Sequence, residues 1–388
     1  MEHINKTLME LIKSEVFQQE LCLSDEAPLN EKTLVELLVL SHKHDVAHII
    51  ASALANNGYF ENCPQQGQFM NEFYKAVYTQ EKQDKSFNEL CMVFEEKGIE
   101  YIPLKGAEIR RLYPQSWMRT SCDVDLLVKE KDLKKASDAI LNINGYSKKG
   151  EGNHDIVFVS SNGTLIELHY RLLGKKKSPL HSKVLKDVWK SAKPCEGFKY
   201  RYNLSNDIFY YYHILHMAKH FRIGGCGLRP FIDLMLIDNK YGGDTAEIKK
   251  ILKKGKILTF AEKARKLSRV WFNDEAHDET TLQMEKFILE GGTFGSVKTR
   301  TASANLRTGG KIWYILSRLF VSYRYLKRDY PILEKYPILT PWYEICRIFS
   351  LLFGKKKDFK ETYLRNLDKK SETQTAYDSA LFKKIGLK

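Results

Sequence analysis

The sequence predicts an α+β protein: a small mixed β-sheet held between largely α-helical N- and C-terminal regions. Three observations point there. Apolar residues recur at helical spacing through roughly the first 95 positions. Short β-branched runs then alternate with helical segments between residues 96 and 173. After Gly174 the helical texture returns.

In chain order, Leu8, Leu11, Ile12 and Val16 mark a first helix. Leu34, Leu37, Leu38, Val46, Ile49, Ile50 and Leu54 continue the pattern until Asn57-Gly58 supplies a stop. A third helix is expected from Phe69 to Lys97. The run Ile99 to Leu104 reads as a buried strand ending in a tight turn at Lys105-Gly106, and the next short helix is stopped by Pro114. Asp123 to Val128 (DVDLLV) reads as a strand, and Asp132 to Ile143 as a helix closed by Asn144-Gly145. The runs IVFVSS and TLIELHY flank Asn162-Gly163, which suits a two-residue type I′ hairpin turn. Asp207 to Phe221 is the strongest helix, broken by Gly224-Gly225, and LRPFIDLMLID begins another. Gly291–Ser296 and Gly309-Gly310 bracket a threonine-rich stretch expected to be a long loop, with GGTFGS a flexible connector. From Trp313 the chain is aromatic and basic, and about the last 25 residues are polar and expected to be poorly ordered. The expected organisation is 1–95 helical, 96–175 the sheet core, 176–310 a helical domain completing the cleft, and 311–388 basic aromatic helices and tail.

The 388 residues can bury a large core, and 43% hydrophobic with 28% charged residues is ordinary for a globular chain. A net charge of +14 is not, and favours anionic partners: nucleotides, nucleic acid or an acidic membrane surface. Seven scattered cysteines without C-x-x-C spacing argue against a disulfide framework or a zinc knuckle, and fit a reducing, cytoplasmic compartment. The start lacks the basic-then-apolar order of a signal peptide. No run approaches the roughly 18 apolar residues of a membrane span.

The chemistry is concentrated in DVDLLV. Side chains alternate along a strand, so Asp123 and Asp125 share one face while Val124, Leu126 and Val128 face the core. Paired carboxylates repel each other where a strand enters a core, and a hard divalent cation such as Mg²⁺ relieves that. Two such ions suit in-line displacement at phosphorus, which calls for a third carboxylate. Glu167 is an acid in an otherwise apolar strand, on the same face as Leu165 and His169; Asp155 is the reserve. The competing readings are a solvated D-x-D and an edge-strand glutamate.

Gly106 lets backbone amides approach a phosphate at the start of a helix, with Lys105 as a cationic contact and Arg119 as a clamp. His213, His216 and His220 lie at i, i+3 and i+7 without the carboxylate of a H-E-x-x-H site, so packing or phosphate contact is the expected role. His216 and His220 are candidates to face the acidic group.

The stretch PLKGAEIRRLYPQSWMRTSCDVDLLVKEKDLKKASDAILNINGY resembles the uncharacterised bacterial nucleotidyltransferase family of the DNA polymerase β-like superfamily. The pattern is L-K-G, a short helix ending near a tyrosine, R-x-x-x-D-x-D-L-L-V, then a helix and G-Y. IELHYRL looks like that family's third-carboxylate strand. Weaker similarity extends over roughly residues 35–350. The resemblance implies a polymerase β-like core that moves a nucleoside monophosphate from an NTP (ATP among them) to an acceptor, with Mg²⁺ or Mn²⁺. It makes Asp123, Asp125 and Glu167 the catalytic and metal-binding residues, and Lys105, Gly106 and Arg119 the nucleotide contacts. Glu167 would orient or deprotonate the acceptor hydroxyl. The wider superfamily's serine after the turn glycine is missing, since Ala107 follows Gly106. The acceptor is open: a small molecule, a protein side chain or, in a toxin-like version, RNA. A catalytically inactive binding module that kept the fold is the remaining rival.

Overall fold

The computed structural model describes residues 2–23, 29–60, 63–174, 179–308, 313, 316, 320–353 and 369–387. Two compact units divide the chain: Met1–His216 with Leu228–His277, and Met217–Gly227 with Asp278–Lys388.

The first unit opens with helices α1 (Glu2–Phe17), α2 (Glu31–Lys43), α3 (Ala47–Asn56) and the long α4 (Gln66–Glu96). Asn30 starts α2 by accepting a hydrogen bond from the Thr33 amide at 3.0 Å. A five-stranded sheet follows, from β1 (Tyr101–Pro103), β2 (Asp123–Val128), β3 (Ser147–Glu151), β4 (Asp155–Val159) and β5 (Leu165–His169). Its order is β1-β2-β5-β4-β3, with β2 and β5 parallel and every other neighbouring pair antiparallel. Short α5 (Gly106–Ile109) joins β1 towards β2, and α6 (Leu133–Leu141) follows β2.

Strand alternation divides the sheet into two faces of opposite character. Val124, Leu126, Val128, Ile156, Phe158, Ile166 and Leu168 pack with Leu90, Phe94, Ala136 and Ile140 of α4 and α6 into the core. At roughly 25 cal/mol per Å² of apolar surface removed from water, this layer is the main force holding the strands in register. The other face carries Asp123, Asp125, Glu167 and His169.

Two expectations within the sheet change. The β4–β5 connection is not a two-residue turn. Ser160 N donates to Thr164 O, and Gly163 N donates to Ser160 O, leaving three residues in the loop. Gly163 takes the left-handed position (φ +84°), the signature of a type I turn followed by a bulge. Asn162 fixes it by accepting from the Thr164 amide and donating to Lys82 O. Strand β3 carries no apolar alternation to announce it, being an almost wholly exposed SKKGE edge. Its lysines and its irregular register blunt that edge against unwanted pairing.

Beyond the sheet lie α7 (Pro179–Val184), α8 (Val188–Ser191), α9 (Asn206–Ile223), α10 (Arg229–Tyr241), α11 (Ala246–Lys254) and α12 (Leu258–Phe272). The second unit contains the end of α9, α13 (Glu279–Gly291), α14 (Val297–Thr308) and a C-terminal helix Lys369–Lys384. Phe221, Phe287 and Phe382 form its aromatic centre, Phe221 stacking on Phe287 at 4.6 Å.

Here the expected loop after GGTFGS is helix α14. Ser296 Oγ accepts the Thr299 amide at 3.1 Å, and Thr299, Ala302 and Ser303 are buried, so small polar side chains serve as a packing face. Gly309-Gly310 lie outside the described residues. The glycines of GGTFGS allow close backbone packing rather than flexible connection: a Cβ on Gly225 would stand 2.0 Å from Gly295 N. The tail is likewise ordered over 369–387, where Leu381, Phe382, Ile385 and Leu387 are buried. Four apolar residues clustered at the end of a polar sequence suffice to dock it.

Candidate active site

Parallel pairing of β2 with β5 sets Asp125 directly opposite Glu167, with Asp123 opposite Leu165 and Leu127 opposite His169. The two strands are 42 positions apart at this pair, yet their carboxylates are brought to one face. Asp125 is 6% exposed and sits at the centre of the group. Its Oδ1 accepts a hydrogen bond from His169 Nε2 at 2.8 Å, and Lys105 Nζ lies 3.8 Å from its Oδ2. His169 Nε2 also stands 3.4 Å from Glu167 Oε2, while the ring's Nδ1 is buried with no hydrogen-bond partner among the described residues.

Burial alone would raise the Asp125 carboxyl, but Lys105, His169 and the positive potential of His216 override it and hold it well below the usual carboxylate range. Asp123 goes the other way. Burial, then the charges of Asp125 and Glu167, push it up to about 6. Burial works against the His169 imidazolium, yet its hydrogen bonds to Asp125 and Glu167 prevail and lift it to about 9. The protein thus supplies its own counter-ions to a concentration of negative charge.

Lys105 reaches this position through an unusual backbone. Its φ of +32° is outside the regions favoured by L-residues, and the turn follows directly on the Leu104 N–H to Asp125 O hydrogen bond that ends the β1–β2 ladder. The ammonium passes 5.3 Å from the centre of the Tyr212 ring. Gly106 is buried beside Ser121 Oγ, but α5 has only four residues, too few for a developed helix dipole at its start. The turn is instead braced from α4. Arg110 donates to Gly106 O, Gln83 Oε1 and Ser121 Oγ, and Gln83 donates to Ser121 O at 2.7 Å.

Arg119 is turned onto α10. Its Nε and Nη2 donate to Asp233 at 3.2 and 2.9 Å, and Tyr113 Oη donates to the same carboxylate at 2.7 Å. A guanidinium so engaged orients the segment leading to Asp123, and its Nη1 also donates to Thr120 O at 3.1 Å. His213 Nε2 bonds Pro230 O, a packing role, whereas His216 contributes charge at Asp125. His220 belongs to the second unit. Asp155, opposite His169 in register, lies 3.5 Å from His154 Nδ1.

A family model described as "Uncharacterised nucleotidyltransferase" matches residues 30–273. The chain belongs to this family. The match runs through all five strands and every site residue named above, and ends within the residue after α12. No curated protein and no solved structure gives a significant match. For a nucleotidyltransferase the arrangement is chemically apt. Among the described residues, Asp125, Glu167 and His169 form a group whose candidate ligand atoms all lie within 4.8 Å of one another. Two carboxylates and one nitrogen form a donor set that a divalent cation can use, and such a cation would offset the part of the upward push on Asp123 that comes, after burial, from the charges of Asp125 and Glu167.

Two features of the candidate site and its surroundings are not announced by the sequence. His169 has no assigned role in the sequence pattern, although standing two residues after Glu167 on the same strand face makes it that carboxylate's neighbour. Asp233 carried the same signal that singled out Glu167, an acid inside an apolar run, and went unread.

Proposed function

We propose that this nucleotidyltransferase moves a nucleoside monophosphate from an NTP to an acceptor hydroxyl of a small molecule or protein, releasing pyrophosphate. The observation that carries this is the register of β2 against β5, which sets Asp125 opposite Glu167 with Asp123 beside them. Asp123, Asp125 and Glu167 would hold the cation, Mg²⁺ or Mn²⁺, which when bound neutralises charge on the triphosphate. Lys105, aimed at the same place by its constrained turn, offers a fixed positive charge to the phosphates. Glu167 is a third exposed where Asp125 is buried, so it is the carboxylate that can meet an incoming hydroxyl and take its proton. The acceptor oxygen bonds to the α-phosphorus as the bond to the β-phosphate oxygen breaks, and pyrophosphate leaves. Before an ion binds, His169 Nε2 fixes the Asp125 carboxylate at 2.8 Å.

A second reading, with RNA as acceptor, is favoured by the distribution of charge. Residues 311–360 contain eleven Lys and Arg against four Asp and Glu, half of the chain's net +14. Tyr325 and Trp342 are exposed in that segment and suit base stacking.

Incubation with each α-labelled NTP and Mg²⁺ or Mn²⁺, with small-molecule, protein and RNA acceptors, tests both readings. Asp125→Ala should lower transfer by about a hundredfold or more. Equal turnover by wild type and variant would remove Asp125 from the mechanism.

A further inference from the structure

The sequence led to an all-oxygen ion site on Asp123, Asp125 and Glu167. The geometry points to a different inner set: we propose that His169 Nε2 is itself a metal ligand, with Asp125 and Glu167, and that the site therefore prefers a first-row transition ion such as Mn²⁺ or Co²⁺ to Mg²⁺. This rests on the functional reading above and specifies the ion that site takes.

The spacing carries the argument. Adjacent donors around an octahedral ion with bonds of roughly 2.1 Å stand about 3 Å apart. His169 Nε2 lies 2.8 Å from Asp125 Oδ1 and 3.4 Å from Glu167 Oε2. Those are the separations of neighbouring corners of one coordination shell. Asp123 is not part of this group, whose three members alone bring their ligand atoms within 4.8 Å among the described residues. Asp123 remains on the same face, one pleat along β2, where it can serve a second ion or the nucleotide's own.

The setting of His169 supports an inner position. It is 2% exposed, on a strand paired in register with β2. Ligation would replace the Nε2 proton now shared with Asp125 and Glu167, so the ion binds with release of that proton to solvent. Magnesium demands oxygen ligands and sheds water reluctantly, whereas imidazole suits first-row transition ions. A nitrogen corner therefore tilts selectivity without adding charge.

The test uses the full chain, freed of metal with chelator and titrated calorimetrically with Mg²⁺, Mn²⁺ and Co²⁺. Wild type should bind Co²⁺ and Mn²⁺ more tightly than Mg²⁺. His169→Asp, which returns an oxygen ligand, should narrow the Co²⁺-to-Mg²⁺ ratio by about tenfold or more. Pulsed electron paramagnetic resonance of bound Mn²⁺ should show coupling to a nitrogen in wild type and lose it in His169→Ala and His169→Asp. Thermal melts of the metal-free variants check folding, and the wild-type nitrogen signal stands whatever the variants do. Binding of Mn²⁺ without nitrogen coupling, or an unchanged ion ratio in a folded variant, overturns the inference while leaving nucleotidyl transfer intact. Failure of wild type both to bind ions and to transfer nucleotide overturns the inference and the functional reading together.

Discussion

Replacing Asp233 by asparagine should be among the most damaging single changes in the first unit, although the residue touches no candidate catalytic group. Asp233 is 1% exposed and the Arg119 side chain 11%. The variant keeps shape and some hydrogen bonding but strands a guanidinium in a place water barely reaches. Removing one member of such a pair costs about 3–5 kcal/mol. At roughly 2–4 °C per kcal/mol for a unit of this size, the melting temperature should fall by about 10 °C. The sign with pH follows from the carboxyl itself. Burial would raise it, but Arg119, His213 and Tyr113 hold it below its ordinary value. Its stabilisation is therefore fully present above the unfolded value of about 3.9 and is lost as the pH falls through the lower folded value. The gap between wild type and Asp233→Asn should be flat from neutrality to about pH 5 and close in stronger acid. The assay is reversible thermal or urea denaturation followed by circular dichroism. The double variant Arg119→Met with Asp233→Leu should recover much of the loss, because neither charge is then left alone. A single-variant cost below about 1 kcal/mol, or a double variant no better than the single, would refute the buried-pair argument.

Other outcomes follow from the same geometry. Tyr211 is buried and its hydroxyl pairs with His181 at 2.6 Å; burial pushes it up to about 12. A phenol raised in the folded state stabilises below its unfolded value of about 10, so up to about 2–3 kcal/mol should vanish between pH 10 and 12. Tyrosinate absorbance in native and urea-unfolded protein checks this; Tyr211 titrating at its ordinary value while folded would disprove it. Leu381→Ala should destabilise the second unit by about 2–5 kcal/mol, because the side chain is 1% exposed. Limited proteolysis across the C-terminal helix should then accelerate, and an unchanged rate would return the tail to the disorder its composition suggested.

The sheet and its acidic face were legible because their signals are local. DVDLLV and TLIELHY each announce a strand by alternation, and an acid within an apolar run marks a buried carboxylate that needs a partner, whether in the candidate site or, as at Asp233, in a structural pair. What the strings did not carry is pairing. Nothing in either run says that they lie parallel with residue 125 against 167, a choice made by the core layer beneath them. Nor does the string show the partner of Arg119, the buried Asp233 that lies 114 positions away. SKKGE had no alternation to reveal, since an exposed edge strand buries neither face. The threonines of α14 and the polar run before Leu381 misled for one reason: composition describes average solubility, while four well-placed apolar atoms groups or a capping serine decide whether a segment docks.

The long excursion between β2 and β5 has a consequence for how activity arises. Their pairing joins residues 42 positions apart, and β3 and β4 must be threaded outside them before the sheet is whole. A nascent or truncated chain ending before residue 165 possesses both aspartates but not their counterpart. The candidate site is therefore complete only once all five strands are in place.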